Sequence, residues 1–314
     1  MVSLLTAVVL GQSALELGPP TGKRIVLLGG DEEYRSEEML PQLARILATR
    51  HGFRCTVVLP LNEKGESDPE NQSSAPGIAA LDKADLCILM IRFRNYSDED
   101  MGHLVRYFES GKPIIAIRTS THAFQYPKES ASPYRLWSWD SKHWPGGFGK
   151  QILGETWVSH WGVHGVQATR GVTAGKHPIL NGVDGLFGTT DVYEAAPPPD
   201  AQILMRGEVV ESLDSLAKQA VGRKKTKAGV EQDLNEPMMP IVWTRELPNR
   251  ILTTTFGSAT DFMDERFRRL LVNGTYWGLR RNIPRKANVA LVGEYTPSPF
   301  GFGKFRRGVK PGYL

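Results

Sequence analysis

The chain has 314 residues, of which 40% are hydrophobic and 23% charged, and a formal charge of +4. That is enough apolar material for one long domain with a sizeable core, and too little for two full ones. Basic residues are dispersed except at Arg223–Lys227 and Lys304–Lys310, both expected to be solvated, so no dense basic stripe marks a nucleic-acid binder.

Residues 1–22 are expected to be a leader segment. Met1 to Leu10 is a short apolar run followed by small residues, below the roughly 20 apolar residues that a bilayer span requires. It lacks a basic start, and the expectation is export to the periplasm or envelope, with a cytoplasmic location as the alternative. Residues 23–282 are expected to form the domain, and 283–314, rich in Gly, Pro and Lys, a tail packed upon it.

Arg24–Leu28 is a continuous apolar run ending in Gly29-Gly30, the pattern of a strand buried on both faces. Ser36 is positioned as an N-cap for a helix carrying Met39, Leu40, Leu43, Ile46 and Leu47 at helical spacing and closing at His51-Gly52. Phe53–Leu59 and Leu86–Ile91 are the next strands. A helix capped by Ser97 follows, then a fourth strand at Pro113–Ile117. Strand and helix alternate with short connections, which predicts a parallel sheet covered on both faces. From Phe124 to Gly154 the pattern gives way to a loop rich in Trp, Gly and Ser. Strand-like runs then occupy Val163–Val172, Asp191–Ala195, Gln202–Arg206, Pro240–Thr244 and Ile251–Phe256, with a polar insertion between Val209 and Glu236. A last helix presents Phe267, Leu270, Leu271, Gly274 and Trp277 on one face. Cys55 and Cys87 sit inside strand runs and are expected to be buried free thiols.

Ligands of an open parallel sheet bind outside the carboxyl ends of its strands. Those ends supply Gly29 to Tyr34, then Arg92 and Arg94, then Arg118-Thr119-Ser120-Thr121-His122, and later segments add Asp191, Tyr193 and Gly257 to Asp261. This set suits a polar ligand with several oxygen atoms. Gly29-Gly30 lacks the G-x-G-x-x-G spacing, and no nucleotide or other cofactor is expected.

The segments Lys112–His122, Gly146-Gly147-Phe148, His177–Gly182, Asp191-Val192-Tyr193, Pro240–Thr244 and Arg250–Gly257, in that order, resemble the ThuA-like family. This is the trehalose-utilisation group of the class I glutamine amidotransferase-like superfamily, and the resemblance covers about residues 23–279. It extends to longer bacterial members ending in a Pro-Ser-Pro-Phe-Gly tail, here Pro297–Gly301. It implies a flavodoxin-like, doubly wound, mostly parallel sheet in a three-layer α/β/α arrangement, and a link to carbohydrate metabolism, with keto-glycosides as plausible substrates. Amidotransfer is not implied: such enzymes carry a Cys in the turn after this strand, where the present chain has Arg118 in place of either Cys or the His found in many relatives.

Each candidate has a functional and a structural reading. Arg118 is a clamp for sugar oxygens or a buried partner for Asp31 or Glu32. His122 is a general acid/base or a cap. Trp137, Trp139, Trp144 and Trp161 are a sugar-stacking wall or core beneath the long loop. His160 and His164 have i,i+4 spacing that would suit a metal on a helix, but Gly162 disfavours a helix and no H-E-x-x-H is present, so no metal site is assigned. The expected function is acid/base chemistry on a keto-glycoside or related sugar, by hydrolysis, elimination or isomerisation. Here His122 and Asp31 or Glu32 exchange protons, while Gly30, Arg92, Arg94, Arg118, Thr119, Gly147, Phe148, His160, Asp191 and Tyr193 bind substrate. The alternative is a carbohydrate-binding module without catalysis. The only partner expected is a small carbohydrate, with no nucleic acid and no integral membrane span. The oligomeric state stays open.

Overall fold

The computed structural model describes residues 14–313. In chain order the elements are β1 (Ala14–Leu17), β2 (Arg24–Gly30), α1 (Ser36–His51), β3 (Arg54–Val58), β4 (Leu86–Ile91), α2 (Asp98–Glu109) and β5 (Ile114–Ile117). There follow β6 (Ala168–Thr173), β7 (Phe187–Gly188), β8 (Gln202–Val210), β9 (Arg223–Lys225), β10 (Glu231–Asp233), β11 (Met239–Glu246), β12 (Arg250–Thr254) and α3 (Glu265–Gly278). One ten-stranded sheet has the order β1-β3-β2-β4-β5-β12-β11-β8-β6-β7, and β9 and β10 form a separate hairpin. The pairs β3–β2, β2–β4, β4–β5 and β5–β12 are parallel, which is the flavodoxin-like α/β core. Antiparallel pairing extends it from β12 through β11, β8, β6 and β7.

The continuous apolar runs have a direct cause. Ile25 and Leu27 of β2, with Ile88 and Met90 of β4, join the core under α1 and α3. Val26 and Leu28, with Cys87, Leu89 and Ile91, join the opposite core under α2. Both faces are covered, so alternate residues must all be apolar. Cys55 and Cys87 are buried free thiols, and burial pushes both up from the ordinary thiol range.

Ser36 does not cap α1 as expected. It is the first helical residue, and its Oγ accepts the backbone N–H groups of Gly30 at 3.1 Å and Asp31 at 3.0 Å, tying the β2–α1 loop to its own helix. Ser97 does cap α2, accepting from the Asp100 amide. The expected strand at Asp191–Ala195 is reduced to a single bridge, His160 to Tyr193. The strand expected from Val163 begins only at Ala168, because the chain turns around Gly165. Strands β1, β7, β9 and β10 had no expectation behind them.

Of the expected leader, residues 1–13 lie outside the described residues, and Ala14–Leu17 form an edge strand antiparallel to β3. Residues 283–313 wind back across α1 and the sheet edge. Arg50 donates to the Leu291 carbonyl, Tyr295 Oη to that of Ala259 at 2.9 Å, and Gly301 N–H to that of Glu33 at 2.8 Å. Among the described residues, no helix is long and apolar enough to cross a membrane.

Candidate functional site

β3 and β4 lie on opposite sides of β2, so the strand order reverses beside β2, and the crevice at its carboxyl end is where such sheets bind ligands. Gly30 closes β2 with φ +154°. A Cβ there would come within 3.1 Å of Arg94 Cδ, so glycine lets the arginine lie against the backbone. Asp31 then organises the loop. Its Oδ1 accepts the N–H groups of Glu33 and Tyr34, both at 2.8 Å, and its Oδ2 accepts from Thr119 Oγ1. Burial raises its pKa, against the lowering effect of the Thr119 and Tyr34 hydrogen bonds. Glu32 bridges Arg92 and Arg94, with Arg94 Nη2 at 3.0 Å from its Oε2. Arg94 is fully buried, also donating to the Pro69 carbonyl at 3.0 Å.

Arg118 follows β5 with φ +43°, a strained left-handed conformation for a non-glycine residue. Its partner is not Asp31 or Glu32, as the sequence suggested, but Asp191. Arg118 Nη2 donates to Asp191 Oδ1 at 2.9 Å and to Tyr34 Oη at 3.1 Å, while Nη1 donates to the Thr255 carbonyl at 2.8 Å. The guanidinium lies 4.2 Å from the ring centroids of both Tyr34 and Tyr193, a buried cation held between two aromatic faces. The oxygens of Asp31 and Glu32 have partners of their own, which leaves Asp191, arriving from the second half of the chain, to balance Arg118.

Asp191 is also the focus of two histidines. His160 Nδ1 lies 2.8 Å from Asp191 Oδ2, and His164 Nδ1 lies 3.1 Å from Asp191 Oδ1. The other nitrogen of His164, Nε2, is 3.3 Å from Glu33 Oε1. No helix is involved: His160 is fixed by its bridge to Tyr193, and the turn after it folds back so that the two imidazole centroids are 4.6 Å apart. Burial would raise the Asp191 pKa, but hydrogen bonds from His160 and His164 and the Arg118 charge overcome it and hold the carboxylate far below its usual range. Hydrogen bonds to Asp191 and then Glu33 lift His164 to about 9. Asp191 is fully buried, whereas the side chains of His160 and His164 keep 35% and 34% of their exposure, so these rings open the cluster to solvent.

His122 stands beside this cluster but is 3% exposed. Its ring lies among Phe93, Trp157 and Tyr193, and burial, followed by the Arg92 and Arg118 charges, drives its pKa well down. The C-terminal tail supplies the opposite wall. The Phe300 ring is 5.3 Å from Tyr34 and 5.4 Å from His164, and Phe302 lies 4.9 Å from the Arg92 guanidinium. Arg35 holds this strap by donating to the Gly301 carbonyl at 2.7 Å.

With this geometry, the family model described as "ThuA: Trehalose utilisation" matches residues 71–278. The chain belongs to the ThuA family. A ThuA-like protein from Parabacteroides merdae has a similar structure, with TM-score 0.51 and 14% identity over 93% of this chain and 99% of that one. One from Bacteroides uniformis gives TM-score 0.49 and 14% identity over 82% and 91%. No curated protein matches the sequence.

In this ThuA protein the structure brings together most of the residues singled out from sequence: Gly30, Asp31, Glu32, Arg92, Arg94, Arg118, Thr119, His122, His160, Asp191 and Tyr193 belong to neighbouring contact networks beyond the strand ends. Phe148 and Gly147 are not part of it. Phe148 is stacked at 4.9 Å on Phe108 and at 5.7 Å on Trp137 in the core, and Gly147 makes a tight turn against Ser138. Trp137 and Trp144 pack with that aromatic core and Trp161 is buried, while Trp139 and Trp157 line the His122 side. Sequence reasoning did not place Trp157, Phe300 or Phe302 in the site. His164 it weighed only as a helical metal ligand, and the i,i+4 signal was right about proximity for a reason other than a helix. The basic insertion is also engaged: Lys224 Nζ donates to the His160 carbonyl at 2.7 Å, bracing the histidine segment.

Proposed function

We propose that this ThuA protein acts on a carbohydrate, a keto-glycoside in the first instance, by acid/base chemistry at the His160–His164–Asp191 cluster. The observation that carries the reading is that two solvent-reaching imidazoles share one buried carboxylate, that of Asp191, beside the carboxyl ends of the parallel strands. Asp31, Glu32 and His122 have their polar atoms committed to the surrounding loop or enclosed by aromatic rings, so the proton-transfer duty is assigned to His160 and His164. His160, held through Nδ1 at 2.8 Å from Asp191 Oδ2, serves as base through Nε2. His164, lifted to about 9, is protonated at neutral pH and serves as acid.

A ketone beside a C–H bond makes that proton removable. His160 takes it, the electron pair moves to form a C=C bond toward the anomeric carbon, the glycosidic C–O bond breaks, and His164 delivers a proton to the departing oxygen. Addition of water to the unsaturated product completes hydrolysis. Arg92, close to the solvent side and stacked between Phe93 and Phe302, is placed to bind sugar oxygens, with Trp157 and Phe300 as apolar walls for a pyranose face.

The test is incubation with a panel of disaccharides and their 3-keto forms, followed by NMR. Product formation that disappears in His160→Ala supports the reading. Saturable binding without turnover indicates a binding module instead, and neither turnover nor binding overturns the carbohydrate reading.

A further inference from the structure

We infer that His160, His164 and Asp191 form a site for a divalent first-row transition ion, zinc being the ion to test first. One ligand atom from each of the three lies within 4.8 Å of the others. The inference rests on the same cluster as the proposed function but on its ligand geometry rather than on any sugar. A tetrahedral zinc with bonds of about 2.0–2.1 Å holds its ligand atoms about 3.3 Å apart. The carboxylate-to-imidazole separations of 2.8 and 3.1 Å are therefore already near that spacing, and small side-chain rotations open room for the ion.

Three further features are those of a metal centre. The first is the histidine surroundings: with Nδ1 of His164 turned to the shared centre, its Nε2 faces Glu33 Oε1 at 3.3 Å, the carboxylate–imidazole–metal relay that fixes tautomer and ring orientation. The second is rigidity. Asp191 is locked from behind by Arg118, and His160 is fixed by its bridge to Tyr193 and by Lys224 on its carbonyl. The Arg118 charge also weakens Asp191 as a ligand, so the affinity falls below that of a structural zinc site. The third is access: both imidazoles keep about a third of their exposure, which leaves the remaining coordination position to solvent or substrate. Two imidazoles and one carboxylate suit zinc, iron, cobalt or manganese and not magnesium or calcium, which take oxygen ligands. Neither cysteine can compete, since both are buried in the sheet core.

The ion would replace the protons that the three side chains now share. An ion held there by His160, His164 and Asp191 would supply Lewis-acid chemistry at its one open position, either polarising a ketone oxygen or acidifying a bound water. The experiment uses the tag-free full chain, stripped with EDTA and desalted. Zinc is titrated in competition with a chromophoric chelator at neutral pH, and bound metal is counted after gel filtration. One zinc per chain is expected, with none retained by the His160→Ala/His164→Ala variant and no uptake of magnesium. Glu33→Gln should weaken zinc by about 10–100-fold while leaving the stoichiometry intact. Circular dichroism confirms that each variant is folded. Less than a tenth of an equivalent on the wild type, or equal retention by the double variant, overturns the inference. If zinc fails to bind yet His160→Ala still abolishes sugar turnover, the metal site falls and the acid/base reading stands. Zinc binding without sugar turnover has the opposite meaning.

Discussion

Replacing Asp191 by Asn isolates the charge that holds the site together. The substitution keeps the shape, removes the negative charge opposite Arg118, whose guanidinium is fully buried, and turns one acceptor oxygen into an NH2 donor. Breaking a buried ion pair by removing one partner costs about 3–5 kcal/mol, because the remaining charge is left uncompensated. Arg118 would keep its bonds to the Thr255 carbonyl and Tyr34 hydroxyl and its place between two aromatic faces. The loss should therefore fall near the lower end, about 3 kcal/mol. Equilibrium urea unfolding measures it. The folded pKa of Asp191 is depressed, so its contribution is fully present above the unfolded value and is lost as pH falls below that value toward the folded one. The difference between variant and wild type should thus be largest near pH 5 to 6, shrink in stronger acid, and shrink again as pH rises toward 9, because Asp191 is the first cause of the raised His164 pKa. Arg118→Met/Asp191→Leu, which removes both charges, should recover most of the stability. A loss below about 1 kcal/mol for Asp191→Asn, or a double variant less stable than the single one, would refute the argument.

Further outcomes can be checked separately. The His164 imidazole followed by NMR should titrate near 9 and shift downward in Glu33→Gln; because its folded pKa is raised, the stability it lends is complete below the unfolded value and disappears as pH rises through 9. Glu37 is buried without a hydrogen-bond partner on either oxygen, and burial lifts it from 4.5 to about 8. The unfolded chain ionises first, so stability falls between those pH values, by up to about 5 kcal/mol at 1.36 kcal/mol per unit. Glu37→Gln should remove that slope, as read from unfolding curves at pH 5 and 8. A Cβ on Gly149 would sit 1.9 Å from the Thr121 carbonyl oxygen, so Gly149→Ala should cost about 1–3 kcal/mol and displace the His122 turn, visible in its amide chemical shifts.

The parallel half of the fold was legible because strands buried on both faces carry unbroken apolar runs, and β2 and β4 announce themselves in this way. The rule that ligands gather at strand ends then placed Arg92, Arg118 and the acidic loop together without further information. Partners could not be read. Arg118 was expected to find Asp31 or Glu32, but local geometry occupies both: Asp31 ties up two amides of its own loop and Glu32 serves Arg92 and Arg94. His164 reached Asp191 through a turn, and periodicity is silent about turns that fold back. Phe148, expected to bind substrate, instead anchors the long loop in the core. Phe300 and Phe302 arrive from the far end of the chain, where no local pattern marks contact with Tyr34 or Arg92.

Turnover of a 3-keto disaccharide by wild type and by the His160→Ala, His164→Ala and His122→Ala variants tests the central claim most directly. The account predicts that His160→Ala and His164→Ala each abolish product formation, while His122→Ala keeps part of it. Full loss in His122→Ala with activity intact in the other two would contradict it.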